Sequence, residues 1–192
     1  VGAPRTATGS DVRPGAVVGF RADADGWKEA EEIRLARASH GAQFGSAISL
    51  DGAAAAIGAP AFEHPDGATA GAVGVFERSE GSWTLLEALF PPRGEAGDRF
   101  AGTVALGDGT LLVGAPGDDN ETGDGAGTTF VFERTSGRWS LGTTLTMEGE
   151  EPNRQFGHAV ALEGATGLAS AIGDAGVEGT RAGSVAVLDL DP

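Results

Sequence analysis

Phe100-Ala101-Gly102-Thr103-Val104-Ala105-Leu106-Gly107-Asp108-Gly109-Thr110-Leu111-Leu112-Val113-Gly114-Ala115-Pro116 is two short apolar runs joined by an Asp-Gly pair. Asp-Gly between such runs is a strong signal for a two-residue β-hairpin. Thr110-Leu111-Leu112-Val113 is apolar on consecutive positions, as in a strand covered on both faces. The runs are too short, and too broken by glycine, for helices of about ten residues or more.

The stretch recurs. Phe44, Phe100 and Phe156 are spaced by 56 residues, and so are Trp27, Trp83 and Trp139, and Phe20, Phe76 and Phe132. On these anchors Phe44-Gly45-Ser46-Ala47-Ile48 aligns with Phe100-Ala101-Gly102-Thr103-Val104 and Phe156-Gly157-His158-Ala159-Val160. Val1-Gly2-Ala3-Pro4 aligns with Ile57-Gly58-Ala59-Pro60 and Val113-Gly114-Ala115-Pro116, with Ile172-Gly173-Asp174 read as a degenerate fourth copy. Gly71-Ala72-Val73-Gly74-Val75-Phe76 aligns with Gly127-Thr128-Thr129-Phe130-Val131-Phe132 and Gly183-Ser184-Val185-Ala186-Val187-Leu188. Each repeat then reads as four strands: A (Phe-Gly), B (Gly-Ala-Pro), C (Val-x-Val-Phe) and D (led by Trp). In chain order this gives B-C-D, A-B-C-D twice and A-B-C, or 14 strands. The segment Glu29-Ala30-Glu31-Glu32-Ile33-Arg34-Leu35 has helix-forming composition but falls at the phase of strand D, so a strand is expected there.

The A–B connections are tight, whereas the B–C connections (5–14, 61–70, 117–126, 175–182) and the D–A connections (91–99, 148–155) are long and polar. In an up-and-down sheet the B–C and D–A loops emerge at one end, so one loop-rich, acidic face is expected. Functional loops of repeat proteins gather on one face.

The paired Phe-Gly and Gly-Ala-Pro motifs resemble the FG-GAP repeat of integrin α-subunits and many microbial surface proteins, over essentially the whole chain. The resemblance implies an all-β β-propeller built from four-stranded antiparallel blades. This chain would supply about three and a half of them, in one domain spanning 1–192, with repeats at about 1–43 (partial), 44–99, 100–155 and 156–192 (partial). It also implies an extracellular or cell-surface location and adhesion or ligand binding. Because the sequence opens inside a Val-Gly-Ala-Pro copy, it is expected to belong to a longer chain or to assemble with another copy. The family's calcium motif, D-x-D-x-D-G-x-x-D before the GAP strand, does not carry over. Only Asp108 is acidic between Phe100 and Val113, and only Asp51 between Phe44 and Ile57. One carboxylate cannot supply the roughly six to eight oxygens calcium takes.

A different acidic cluster, Asp118, Asp119, Asn120, Glu121 and Asp124, lies in the third B–C loop. It is either a solvated acidic loop or a calcium site. The other B–C loops are poorer: Asp11 alone, Glu63 and Asp66 flanking His64, and Glu178 with Arg181. His40, His64 and His158 occupy different phases and share no metal-ligand spacing. The recurrent Trp read as packing residues, with an aromatic sugar platform as the alternative, and the three Phe of strand A read as core.

Composition narrows the function classes. The net charge is −15, with Lys28 the only lysine. Such a surface repels nucleic acid and anionic membranes. It fits a salt-adapted organism or a genome that favours Arg codons over Lys. With no Cys, disulfides and thiolate chemistry are absent. No G-x-S-x-G elbow, H-E-x-x-H or P-loop is present, so an enzyme is not expected. No apolar run is long enough to insert into a membrane. The expected partner is a protein or glycan ligand of the loop face. The alternatives are a self-assembling surface-layer or filament subunit, whose partners are copies of itself, and a lectin.

Overall fold

Asp108 and Gly109 sit at φ +48° and +76°, so the hairpin expected at Asp-Gly is made by two left-handed residues. The computed structural model describes residues 1–4, 14–64, 67–175 and 181–190. Among these there are 14 strands and no helix, in four antiparallel sheets. The first sheet is β1 (Gly2–Ala3), β2 (Ala16–Asp23) and β3 (Gly26–Ile33). The second is β4 (Ile48–Asp51), β5 (Ala54–Ala59), β6 (Ala72–Ser79) and β7 (Ser82–Leu89). The third is β8 (Thr103–Gly107), β9 (Thr110–Ala115), β10 (Thr128–Thr135) and β11 (Arg138–Leu145). The fourth is β12 (Phe156–Glu163), β13 (Thr166–Ala171) and β14 (Ser184–Asp189). Strands within each sheet are paired in sequence order, as the reading B-C-D, A-B-C-D, A-B-C-D, A-B-C requires. The helix-like segment Glu29–Ile33 is part of strand β3.

The repeat is preserved down to its irregularities. A register shift between strands C and D falls at Gly19/Phe20, Val75/Phe76 and Val131/Phe132, the same phase each time. A bulge there sharpens the local twist at one level of each sheet.

Neighbouring sheets are joined by a latch. The amides of Phe44, Phe100 and Phe156 donate to the carbonyls of Pro14, Ala70 and Ala126 at 2.8, 3.0 and 2.9 Å. Each Phe also forms a parallel bridge to Gly15, Gly71 or Gly127. The three Phe are buried, as expected of core residues. Apolar clusters fill the junctions. Val17, Ile33 and Leu35 meet Phe44, Ile57 and Phe76; Val73, Val75 and Leu89 meet Phe100, Leu106, Leu111 and Phe132; Leu112 and Val131 meet Val160 and Leu162. Burial of such side chains contributes on the order of 1.5–3 kcal/mol each.

Carboxylates add clips across the junctions. Glu31 accepts the Trp83 amide at 3.1 Å, and Glu87 accepts the Trp139 amide at 3.3 Å. Ser49 Oγ accepts the Leu106 amide and Asp51 accepts the Asp108 amide, both at 3.0 Å.

Two sequence expectations need correction. The fourth Gly-Ala-Pro copy is Ala169-Ser170-Ala171-Ile172, because β13 occupies the phase of β9. Gly173 is instead the equivalent of Gly117. A Cβ on Gly173 would lie 1.9 Å from the Asn153 carbonyl oxygen, and one on Gly117 2.1 Å from that of Gly97. Ile172-Gly173-Asp174 imitates the motif too late in the strand, starting at Ile172 where Val113 is matched by Ala169. The Trp are also not equivalent in burial. Trp139 is buried and Trp83 half-buried, but Trp27 is 75% exposed, as the flank of the first sheet that would receive a preceding sheet is bare among the described residues.

Candidate functional site

The B–C and D–A loops share one end, as the alternation of short and long connections implies. In the third repeat they are bonded to one another. The Glu151, Asn153 and Gln155 amides donate to the carbonyls of Thr122, Asp124 and Gly125 at 2.9, 2.7 and 3.1 Å. Backbone pairing of this kind fixes both loops to the sheet below and makes the face a defined surface.

At the base of this face one contact recurs with three different chemistries. The first residue of each pair accepts an amide from beside the second. Ala61 donates to Ala42 at 3.2 Å, Gly117 to Asp98 at 3.0 Å and Gly173 to Arg154 at 2.9 Å. The three pairs are therefore Ala42 with Phe62, Asp98 with Asp118, and Arg154 with Asp174.

The third pair is an ion pair. Arg154 Nε lies 3.4 Å from Asp174 and 3.0 Å from Glu151, and its Nη1 donates to the Glu148 carbonyl at 2.6 Å. The second pair is two acids. Burial pushes the Asp98 carboxyl up to about 6, the Glu95 amide at 2.7 Å opposes this, and the charges of Asp118, Glu95 and Asp119 add to it. Burial likewise raises Asp118, with the Thr128 hydroxyl opposing and Asp119 and Glu95 adding. The first pair is apolar, and it opens a groove.

The groove, of about 870 Å³, lies between the loops of the first and second sheets and is lined by Leu35, Arg37, Phe62, Glu63, His64 and Phe90 among others. Phe62, His64 and Phe90 form an aromatic cluster. His64 meets Phe90 edge-on at 4.8 Å between centroids, and Phe62 meets Phe90 at 5.8 Å. His64 Nε2 is 2.8 Å from the Gly71 carbonyl, which can only accept, so the proton resides on Nε2. Phe90 is 39% exposed, an aromatic face offered to solvent at the groove. Aromatic walls with a few charged groups are what ligand grooves are made of. Sequence reasoning treated His64 as incidental and did not single out Phe90 or Arg37. The signal was the departure of Phe62 and Phe90 from the polar residues at the same phase, Asp118 and Thr146.

The residues proposed for a cation lie in one loop but turn to separate partners. Asp118 accepts the Thr128 hydroxyl, and Asp119 accepts the Gly125 amide at 2.6 Å. Asn120 donates to the Gly127 carbonyl at 2.9 Å and accepts the Thr122 amide at 2.9 Å. Glu121 and Asp124 are exposed. Among the described residues no three His, Cys, Asp or Glu side chains converge at metal-holding distance. Asp11, Asp66 and Glu178 lie outside the described residues.

Residues 83–132, from the second residue of β7 to the fifth of β10, match the family described as FG-GAP repeat. This segment is an FG-GAP repeat. The matched unit contributes Phe100 to the latch with Gly71 before it and Gly127 to the latch with Phe156 after it. No curated protein matches the chain. Among the described residues no helix is long and apolar enough to cross a membrane, which says nothing about β-barrels.

Proposed function

We propose that the four sheets are blades of a β-propeller, and that the module binds a protein or glycan ligand outside the cell or at its surface, without catalysing a reaction. The observation carrying this reading is the aromatic groove on the loop-bearing face. Phe62, His64 and Phe90 supply an aromatic wall of mutually tilted rings with little side-chain entropy to lose. Arg37 and Glu63 flank it with opposite charges, suited to fixing the orientation of a polar ligand. The FG-GAP repeat, found typically in extracellular and surface proteins, supports the location and the fold.

The test is binding of the purified domain to a glycan array and to immobilised extracellular-matrix proteins. Phe90→Ala with Arg37→Ala is expected to weaken retention at least tenfold. Substitution of Glu80 on the opposite, hairpin end is expected to leave it unchanged. Equal binding by the wild type and the Phe90/Arg37 variant would remove the groove from the reading.

Calcium at Asp118, Asp119, Asn120, Glu121 and Asp124 would require the intraloop hydrogen bonds to be exchanged for metal bonds. A melt with and without calcium, for the wild type and for Asp118→Asn with Asp119→Asn, decides the matter. An unchanged Tm in all four melts sinks the metal site.

A further inference from the structure

We propose that the cavity between the first and second sheets, near the hairpin end, is a binding site for a small amphipathic organic anion. Arg21 and Arg78 hold its charge, and the apolar walls of the junction hold its body. The site is separate from the loop-face groove and does not depend on the ligand proposed there.

The second junction shows what this position looks like when it is closed. Alternate side chains of a strand point to one face. From β6, Val73, Val75 and Glu77 face the third sheet. Val75 is buried there, and Glu77 pairs with Arg134 of β10 at 3.6 Å. In the first junction both features are changed. Gly19 stands at the phase of Val75 and Arg21 at that of Glu77, while Arg78 keeps the phase of Arg134. A missing valine side chain opens the space. The charge reversal turns an ion pair into two guanidiniums supplied by opposite sheets.

The cavity, of about 570 Å³, is lined by both arginines. Its size is that of a site for a small organic ligand. Arg21 reaches across from β2, its Nη2 lying 3.9 Å from the Cβ position of Gly81 in the turn after β6. Among the described residues neither arginine has an ion pair. The carboxylate in the wall, that of Glu31, is already engaged. Its two oxygens accept the Trp83 amide at 3.1 and 3.3 Å, as Glu87 accepts that of Trp139 in the closed junction. The remaining wall includes buried Val17, Ile33 and Ile57, with Ile48 36% exposed. Two cations over apolar walls attract an anion, because such a cleft focuses the field. Guanidinium forks match a carboxylate in geometry. A cationic cavity also runs against the composition of a chain with net charge −15. The apolar wall specifies the rest of the ligand: one anionic head on a hydrocarbon body, not a bare inorganic ion.

The probe is sodium octanoate, added to the purified protein and followed by calorimetry and NMR. Saturable binding is expected, with shifts of the Gly19, Arg21 and Trp83 amides and none at Phe90. Octanol lacks the charge and inorganic phosphate lacks the body, so each should bind at least tenfold more weakly. Arg21→Glu recreates the Glu–Arg pair of the second junction and should weaken octanoate binding at least tenfold without lowering Tm. Gly19→Val fills the space and should weaken it as much. Phe90→Ala with Arg37→Ala should leave octanoate binding unchanged, which separates failure of the loop groove from failure of this site. Absence of saturable binding overturns the proposal, as does binding that either Arg21→Glu or Gly19→Val leaves intact. Octanol binding as tightly as octanoate would remove the arginines from it, and phosphate binding as tightly would remove the apolar wall; either result also overturns it.

Discussion

A Cβ added to Gly127 would lie 2.4 Å from both the amide nitrogen and the carbonyl oxygen of Phe156. Two backbones from different sheets thus touch where only a hydrogen atom fits. Gly137, in the turn between β10 and β11, has the same φ of +82° but nothing within 4 Å of its Cβ position. The pair separates two costs that usually travel together. Gly137→Ala incurs only the left-handed backbone penalty, about 1 kcal/mol. Gly127→Ala incurs that and the loss of the latch, and is expected to cost about 3 kcal/mol or more. Chemical denaturation of both variants checks this. Equal losses would mean the latch contributes nothing.

The latch is also where the sequence was most readable. The period of Phe44, Phe100 and Phe156 is visible because each Phe fills the same junction, so each was held to the same shape. Strand order, the tight A–B turns and the shared end of the long loops follow from that period together with Asp-Gly chemistry and loop length. The groove did not follow. It arises where the repeat breaks its own rule, with Phe62 and His64 standing where the next repeat has Asp118 and Asn120. A periodic reading treats such departures as noise, although they are where one junction differs from another. The fourth copy was misplaced for a related reason. Ala169-Ser170-Ala171 keeps the strand but loses the glycine, while Gly173 keeps a glycine required by a different contact.

Gly19 marks a second break. Its equivalents Val75 and Val131 are buried in the next two junctions, and without a side chain there the first junction keeps a gap of about 570 Å³ lined by Val17, Gly19, Arg21, Ile48, Ile57 and Trp83 among others. The nearest atom to a Cβ on Gly19 is the Glu31 carbonyl oxygen at 3.6 Å, an ordinary contact. Gly19→Val is therefore expected to stabilise the protein by about 1 kcal/mol, from apolar burial and strand propensity together. A rise in Tm checks it, and a fall would show that the gap is needed open.

Glu87 holds the Trp139 amide across the second junction, and Glu31 holds that of Trp83 across the first. Trp139 is buried, so its amide has few alternatives once the carboxylate is gone. Glu87→Ala is expected to cost about 1–2 kcal/mol, the range for a hydrogen bond to a charged acceptor. Glu87→Gln keeps an oxygen at the same place and should cost less than half as much. Paired urea titrations test the ratio, and equal losses would assign the effect to the negative charge of Glu87, because Gln keeps both the stem and an acceptor oxygen.

Asp98 makes stability depend on pH in an unusual direction. An acid whose folded pKa is depressed stabilises a protein as pH rises. Asp98 is instead raised, from the usual carboxylate range to about 6, chiefly by burial. The folded state then holds a proton that the unfolded chain has given up, so the Asp98 contribution is complete below about pH 4 and is lost as pH climbs through 6. Asp118 is raised too and acts in the same sense, with Glu95 and Asp119 adding negative charge nearby. The equivalent position one junction on is Arg154, which faces Asp174 and neutralises it. Asp98→Asn keeps an oxygen for the Glu95 amide but cannot ionise. Its stability, measured by denaturation at pH 4 and pH 7, should fall less over that interval than that of the wild type. The variant should be the more stable of the two at pH 7. Parallel pH profiles for the two proteins would mean that Asp98 is ionised in the folded state at both pH values and that its burial is relieved by solvent.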